Sequence, residues 1–179
     1  MLKQVKANDK NLLIDLKYAT KQNFVKQKLY KESLCYLHVD ASKKLIEASK
    51  IAENFNLKLK IFDAYRPVEV QKILFSYDQE FVSNPDTGSI PHCRGIAVDL
   101  TLVDSNNIEL DMGTEFDHFS PLAFHGNREI TLKAQKNRLL LLAIMTEAGW
   151  DFFTNEWWHY QLFNPREYSI ISGDIFHKI

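Results

Sequence analysis

The sequence predicts one α+β domain, residues 1–179, built as a small central antiparallel sheet flanked by helices. Three observations predict it. The chain has 179 residues, 45% of them hydrophobic and 25% charged, which is the size and make-up of one globular unit with its own core. Two runs, LKLKIFD and GIAVDLTLV, have the alternation and β-branched content of strands. Helix-type stripes lie between them without a regular strand-helix-strand rhythm, which argues against a doubly wound sheet.

Taken in order, residues 11–18 (NLLIDLKY) mix apolar and polar positions as an early strand does. Asp40 is positioned to cap a helix whose Ala41, Leu45, Ala48, Ala52 and Phe55 recur at helical spacing. Leu57, Leu59 and Ile61 then alternate with polar residues in a half-buried strand that delivers Asp63, Tyr65 and Arg66 to its end. Pro67 allows a second helix to begin, with Val70, Ile73 and Leu74 as its inner stripe. Residues 83–91 are dense in turn formers and read as a surface loop. In the next strand, period two sets Ala97, Asp99 and Thr101 on one face and Ile96, Val98, Leu100 and Leu102 on the other. Residues 103–130 look irregular. Thr131 starts a third helix through Leu139, Leu142, Met145 and Ala148, ended by Gly149. The segment WDFFTNEWWHYQLF is aromatic and strand-like.

Charge and hydropathy exclude several function classes. The formal net charge is -1, and Lys and Arg are scattered without the cationic footprint that a nucleic-acid binder needs. The longest apolar run, Leu139 to Met145, falls far short of the roughly 20 residues that cross a bilayer, so no membrane partner is expected. Charged residues interrupt the N-terminal stretch, so no secretory signal is read. The expected location is cytoplasmic, or periplasmic for a mature form whose signal has been removed. Cys35 and Cys93 are read as free thiols in a reducing compartment, with a single bond between them as the alternative. Composition does not specify an oligomeric state.

Histidines occur at 38, 92, 118, 125, 159 and 177, and two of them sit in segments suited to positioning a ligand. His92 stands just before Gly95 and the strand that carries Asp99, an acid interrupting an apolar run. His159 ends Glu156-Trp157-Trp158-His159. Two imidazole nitrogens and one carboxylate oxygen form a good zinc ligand set that leaves one position open, as hydrolysis requires. On a regular strand Glu156 and His159 point to opposite faces. A bend brings Glu156 over the site instead, where it can carry a proton as general base and acid. Arg66 supplies positive charge, either to a developing oxyanion or to a substrate carboxylate. Singly, each residue has an ordinary reading: His92 as a loop residue, Asp99 as a satisfied buried acid, His159 as a core histidine, Arg66 as the partner of Asp63. Cys93 follows His92 directly and cannot generally face the same metal. The combination carries the argument.

These residues belong to blocks that resemble a known family. IDLKYATKQNF at 14–24, DAYRP at 63–67, HCRGIAVDLTL at 92–102, MGTEFD at 112–117 and EWWHY at 156–160 resemble, in order and across almost the whole chain, the zinc D-alanyl-D-alanine dipeptidases, the VanX-like family. The resemblance implies the Hedgehog/DD-peptidase fold and one Zn2+ per chain held by His92, Asp99 and His159. It further implies Glu156 as catalytic base, Arg66 as transition-state stabiliser, Asp117 as the acid that receives the ammonium of a small dipeptide, and Tyr18 as the tyrosine closing the same end of the pocket. One departure stands out. The family often has Ser two positions before the first zinc histidine, where this chain has Ile90; either Ser89, one place earlier, takes over that substrate contact or the contact is absent. The expected reaction is hydrolysis of free D-alanyl-D-alanine. The competing readings are a zinc D,D-carboxypeptidase or endopeptidase acting on longer wall peptides, and a non-catalytic zinc module. Glycopeptide resistance, D-alanine recycling and wall turnover stay equally open as purposes.

Overall fold

The computed structural model describes residues 1–8 and 11–171; of the histidines, His177 lies outside them. The strands are β1 (Leu2–Val5), β2 (Leu12–Ile14), β3 (Cys35–His38), β4 (Lys58–Asp63), β5 (Ala97–Val103), β6 (Asp151–Phe152) and β7 (His159–Gln161); the α-helices are α1 (Val39–Asn54), α2 (Val68–Tyr77) and α3 (Leu132–Glu147). One sheet has the order β2-β4-β5-β7-β6, and β1 pairs with β3 in a separate two-stranded sheet. The α+β expectation holds, with one correction: the main sheet is mixed, because β2 runs parallel to β4 while its other pairings are antiparallel. β3 and α1 intervene between β2 and β4 and supply the long connection that parallel neighbours need, a property of topology that strand patterning does not carry.

β5 is the centre. All seven of its residues are buried. Val98, Leu100 and Leu102 join a core with Ala41, Leu45, Ala48 and Ala52 of α1 and Leu141, Ile144 and Met145 of α3. The opposite face carries Asp99, which is thereby presented away from the helices. In the pairing of β4 with β5, Ile61 faces Leu100 and Asp63 faces Asp99, so β4 has one residue, Phe62, in excess. This bulge matters for function. Without it Asp63 would stand opposite Val98 on the core side; with it Asp63 turns to the side of Asp99.

Several local expectations are corrected. α1 starts at Val39, and its cap is His38, whose Nδ1 accepts from the Asp40 amide at 3.3 Å. Asp40 lies in the first turn, where its charge suits the helix dipole. Phe55 lies just past the helix and is exposed, as is Ile73 on α2, whose inner face uses Gln71 beside Val70 and Leu74. On α3 the exposed Leu139 gives way to Arg138, Leu141 and Ile144 on the buried side. Thr131 does cap α3, its Oγ1 accepting from the Ala134 amide at 3.1 Å. Gly149 ends α3 at φ 83°, with its amide on Thr146 O and that of Trp150 on Met145 O, the paired bonds of a Schellman turn. Cys35 and Cys93 are both buried and free, as expected.

Arg138 explains how the irregular stretch 103–130 holds its shape. Its guanidinium donates to the carbonyls of Met112, Leu122 and Phe124 at 2.6–3.1 Å, replacing the ladder that this segment lacks. Gly95 is required for a different reason. It joins a 3-10 turn over Pro91–Arg94 to the start of β5 at φ 67°, and a Cβ there would meet Leu2 Cδ2 at 2.6 Å and the His38 amide nitrogen at 3.1 Å.

His125 sets an acid limit on the fold. Its Nε2 is buried without a partner among the described residues, and its ring lies edge-on to Phe152 and Tyr160. Burial, with the charge of Arg138 adding to it, pulls its pKa from 6.5 down to about 4. The unfolded chain therefore takes the proton first on acidification, so the stability contributed by neutral His125 is complete above about 6.5 and is lost as the pH falls towards 4. In urea unfolding of the metal-free protein, the midpoint should drop more between pH 7.5 and 5 in the wild type than in His125→Phe. Equal drops would assign the acid sensitivity to other groups.

Candidate active site

A cavity of about 260 Å³ lies on the Asp99 side of the sheet, bordered by Tyr18, Arg66, Ser89, His92, Asp99, Asp117, Glu156 and His159. Every site residue singled out in the sequence reaches it. The volume suits a small ligand, being below the roughly 300–1,000 Å³ typical of pockets for drug-sized molecules.

His92, Asp99 and His159 come from three elements and converge at the cavity floor. Asp99 on β5 stands directly opposite His159 on β7. His92 arrives from the 3-10 turn, which is locked in place as its carbonyl accepts from the Arg66 amide at 3.2 Å. His159 Nδ1 is 3.0 Å from Asp99 Oδ1, His92 Nε2 is 3.3 Å from the same oxygen, and the two nitrogens are 3.2 Å apart. All three residues are buried. Among the described residues this is the one group of His, Cys, Asp and Glu side chains with metal-ligand spacing.

The outer ring nitrogens decide what the inner ones offer. His92 Nδ1 lies 2.7 Å from Ala64 O, and His159 Nε2 lies 3.1 Å from Gln161 Oε1. Both acceptors are carbonyl oxygens, placed for the proton that each outer nitrogen carries when the inner nitrogen gives its lone pair to a metal. Three ligand atoms thus face one point. Ligands held at about 2.0–2.1 Å in a tetrahedron stand about 3.3 Å apart, which is the spacing found here, so the donor set fits a zinc-type metal ion. Although burial pushes the Asp99 carboxyl up, the two histidines hold it well below the usual carboxylate range.

Glu156 is not on a strand. It lies in the turn between β6 and β7, where the His159 amide donates to Glu156 O at 3.3 Å. That bend overcomes the opposite-face geometry of a regular strand, and Glu156 Oε2 comes to 3.9 Å from His159 Nδ1. Burial, eased by His159 and reinforced by Asp99, raises the Glu156 carboxyl to about 7. A group with that affinity can both take and return a proton near neutral pH.

Arg66 is held on two sides. Its Nε donates to Asp63 Oδ2 at 2.9 Å and one Nη to Gln71 Oε1 at 2.8 Å, while another Nη reaches to 3.6 Å from Asp99 Oδ2. Tyr30 donates to the second Asp63 oxygen at 2.6 Å, so this buried acid is bonded on both sides. The guanidinium also lies over the Tyr18 ring, 5.2 Å from its centroid.

Asp117 closes the other end. It adopts φ 58°, a left-handed conformation that Asp tolerates, and accepts from the Tyr18 hydroxyl at 2.9 Å. Burial, with the negative charge of Asp99 behind it, raises its carboxyl well above the usual range. Phe81 stacks on Phe119 with centroids 5.3 Å apart, and both rings border the cavity. Ser89 borders it too, next to Ile90, a β-branched residue in the left-handed region at φ 38°. Gln71, Gln161, the Ala64 carbonyl and the phenylalanine wall are parts of the site that sequence reasoning missed. Only Gln161 left a signal, since two residues beyond His159 on a strand means the same face.

The family model described as D-ala-D-ala dipeptidase matches residues 2–170. The chain is 38% identical over 164 residues to a D-alanyl-D-alanine dipeptidase of Escherichia coli (strain K12), covering 90% of this chain and 84% of that protein. Proteins of the same name from Enterococcus faecium and Streptomyces coelicolor are 27% and 28% identical, each match covering 83% of this chain and 84% of the relative. With that match running through each block that forms the cavity, the chain belongs to the D-Ala-D-Ala dipeptidase family of metallopeptidases.

Proposed function

We propose that this chain is a zinc-dependent dipeptidase that hydrolyses free D-alanyl-D-alanine to two D-alanines, using one Zn2+ held by His92, Asp99 and His159. The observation that carries the reading is the set of three inward ligand atoms, 3.0–3.3 Å apart, with the Glu156 carboxyl beside it. When bound, zinc supplies Lewis acidity that polarises a carbonyl and acidifies water.

The remaining work falls to side chains. Glu156 accepts the proton of the attacking water and hands it to the departing amine, for which a carboxyl raised to about 7 is suited. Arg66, held by Asp63 and Gln71, presents a fixed guanidinium to the oxyanion as charge develops; because it is already oriented, little reorganisation is needed. Asp117, bonded to Tyr18, receives the substrate ammonium. A buried acid with one hydroxyl donor gains a charge-assisted partner from a free N-terminus and is left without one by a blocked amine. Ser89 contributes a polar contact where Ile90 replaces the family's usual serine.

The direct test is release of D-alanine from free D-Ala-D-Ala and from its N-acetyl form, with and without a chelator. Chelator-sensitive cleavage of the free dipeptide is expected; efficient cleavage of the acetylated form would identify a carboxypeptidase-like cleft instead. Glu156→Gln should keep its zinc and lose roughly 10²–10⁴-fold in kcat. A fall in metal content would make Glu156 a ligand. Asp117→Asn should lower kcat/KM for the free dipeptide by roughly 10–100-fold, from loss of a charged hydrogen bond. Inhibition by the N-acetylated dipeptide should not weaken; a matching loss there would remove Asp117 from ammonium recognition.

A further inference from the structure

We infer that Gln161 is a positioning residue that orients the His159 ring and accepts its outer N–H when the ring binds a metal, and so sets the metal affinity of the site. The inference rests on the zinc-site reading above. His159 and Gln161 are two apart on β7, so their side chains share a face. Opposite them on β5 stand Asp99 and Ala97 respectively. Ala97 offers only a methyl group, which leaves room for the Gln161 side chain to fold back on the imidazole. Its Oε1 comes to 3.1 Å from His159 Nε2.

The two histidines are held by different means. His92 is oriented by the main-chain carbonyl of Ala64, an acceptor that no side-chain substitution removes. His159 is oriented by a side chain. His159 Nδ1 lies 3.0 Å from Asp99 Oδ1, and when that nitrogen gives its lone pair to a metal the ring's proton sits on Nε2, where Gln161 Oε1 accepts it. Without that acceptor the Nε2 proton of the metal-bound ring loses its partner, which favours the competing arrangement in which Nδ1 keeps a proton against the Asp99 carboxylate. The carbonyl also makes the ring a more basic ligand.

The test is a zinc titration of the full chain, stripped of metal, in competition with a chromophoric chelator. It compares the wild type with Gln161→Met, which keeps the length and removes the acceptor, and Gln161→Glu, which restores an acceptor. Gln161→Met should weaken zinc binding roughly 10–100-fold. Its metal-free thermal midpoint should not change, and Gln161→Glu should bind at least as tightly as the wild type. Wild-type affinity in Gln161→Met would overturn the inference. Equal weakening in both variants with a lowered metal-free midpoint would also overturn it, by making the residue merely structural. Asp99→Asn separates the two readings. If it abolishes zinc binding while Gln161→Met does not, the metal site stands and the positioning role falls. A wild type that binds no zinc would remove both.

Discussion

The antiparallel register between β5 and β7 is the constraint on which the site depends. It places Asp99 opposite His159, so two ligating atoms from distant parts of the chain meet 3.0 Å apart in the middle of a buried sheet. A shift of one residue would turn His159 to the core side and bring Tyr160 or Trp158 in its place. Burial of all seven β5 residues, with helices packed behind, prevents that slip. The rest of the cavity is arranged around this pair, with His92 brought in through the Gly95 turn and Glu156 through the bend before β7.

Electrostatics then explains the composition of the cavity. Asp63, Asp99, Asp117 and Glu156 gather around a single guanidinium, that of Arg66. Asp63 is taken up by Arg66 and Tyr30, an arrangement made possible by the β4 bulge. The other three acids make the pocket a strong attractor of positive charge, and burial amplifies the effect by removing the water that would screen it. In the function proposed above, a divalent ion at one end and an ammonium at the other would supply the missing charge. The carboxyls of Glu156 and Asp117 are raised first by burial and further by the charge of Asp99. The attraction for positive charge is the physical basis on which the proposed function has this small cavity recognise a short, free peptide.

Much of this was legible in the residues themselves. Period two on β5 isolates Asp99 from its apolar neighbours, the motif spacing around His92 and His159 marks the candidate metal group, and the stripes of α1 and α3 mark the helices that back the sheet. The placement of Glu156 was legible only as a requirement for a bend, because a strand pattern does not report where the backbone turns. Ile73 and Leu139 were misplaced since helical periodicity alone does not reveal how far a neighbouring surface extends. Gln71 and Arg138 took buried positions that polar residues rarely occupy, and did so by bonding to Arg66 and to the carbonyls of residues 112–124.

The sequence by itself identified the candidate residues: two imidazoles, a buried acid, a carboxylate in a required bend and a guanidinium through residue type and local spacing, and Asp117 and Tyr18 only through the resemblance to the dipeptidase family. Only the tertiary structure decided the parallel pairing of β2 with β4, the bulge that turns Asp63 towards Asp99, and the choice of Ala64 O and Gln161 Oε1 as partners of the outer imidazole nitrogens. The physical reason is range. Residue chemistry and periodicity are local, whereas strand direction, register and hydrogen-bond partners are set by contacts between segments far apart in the chain, where the whole core selects the arrangement that leaves the fewest polar groups without partners.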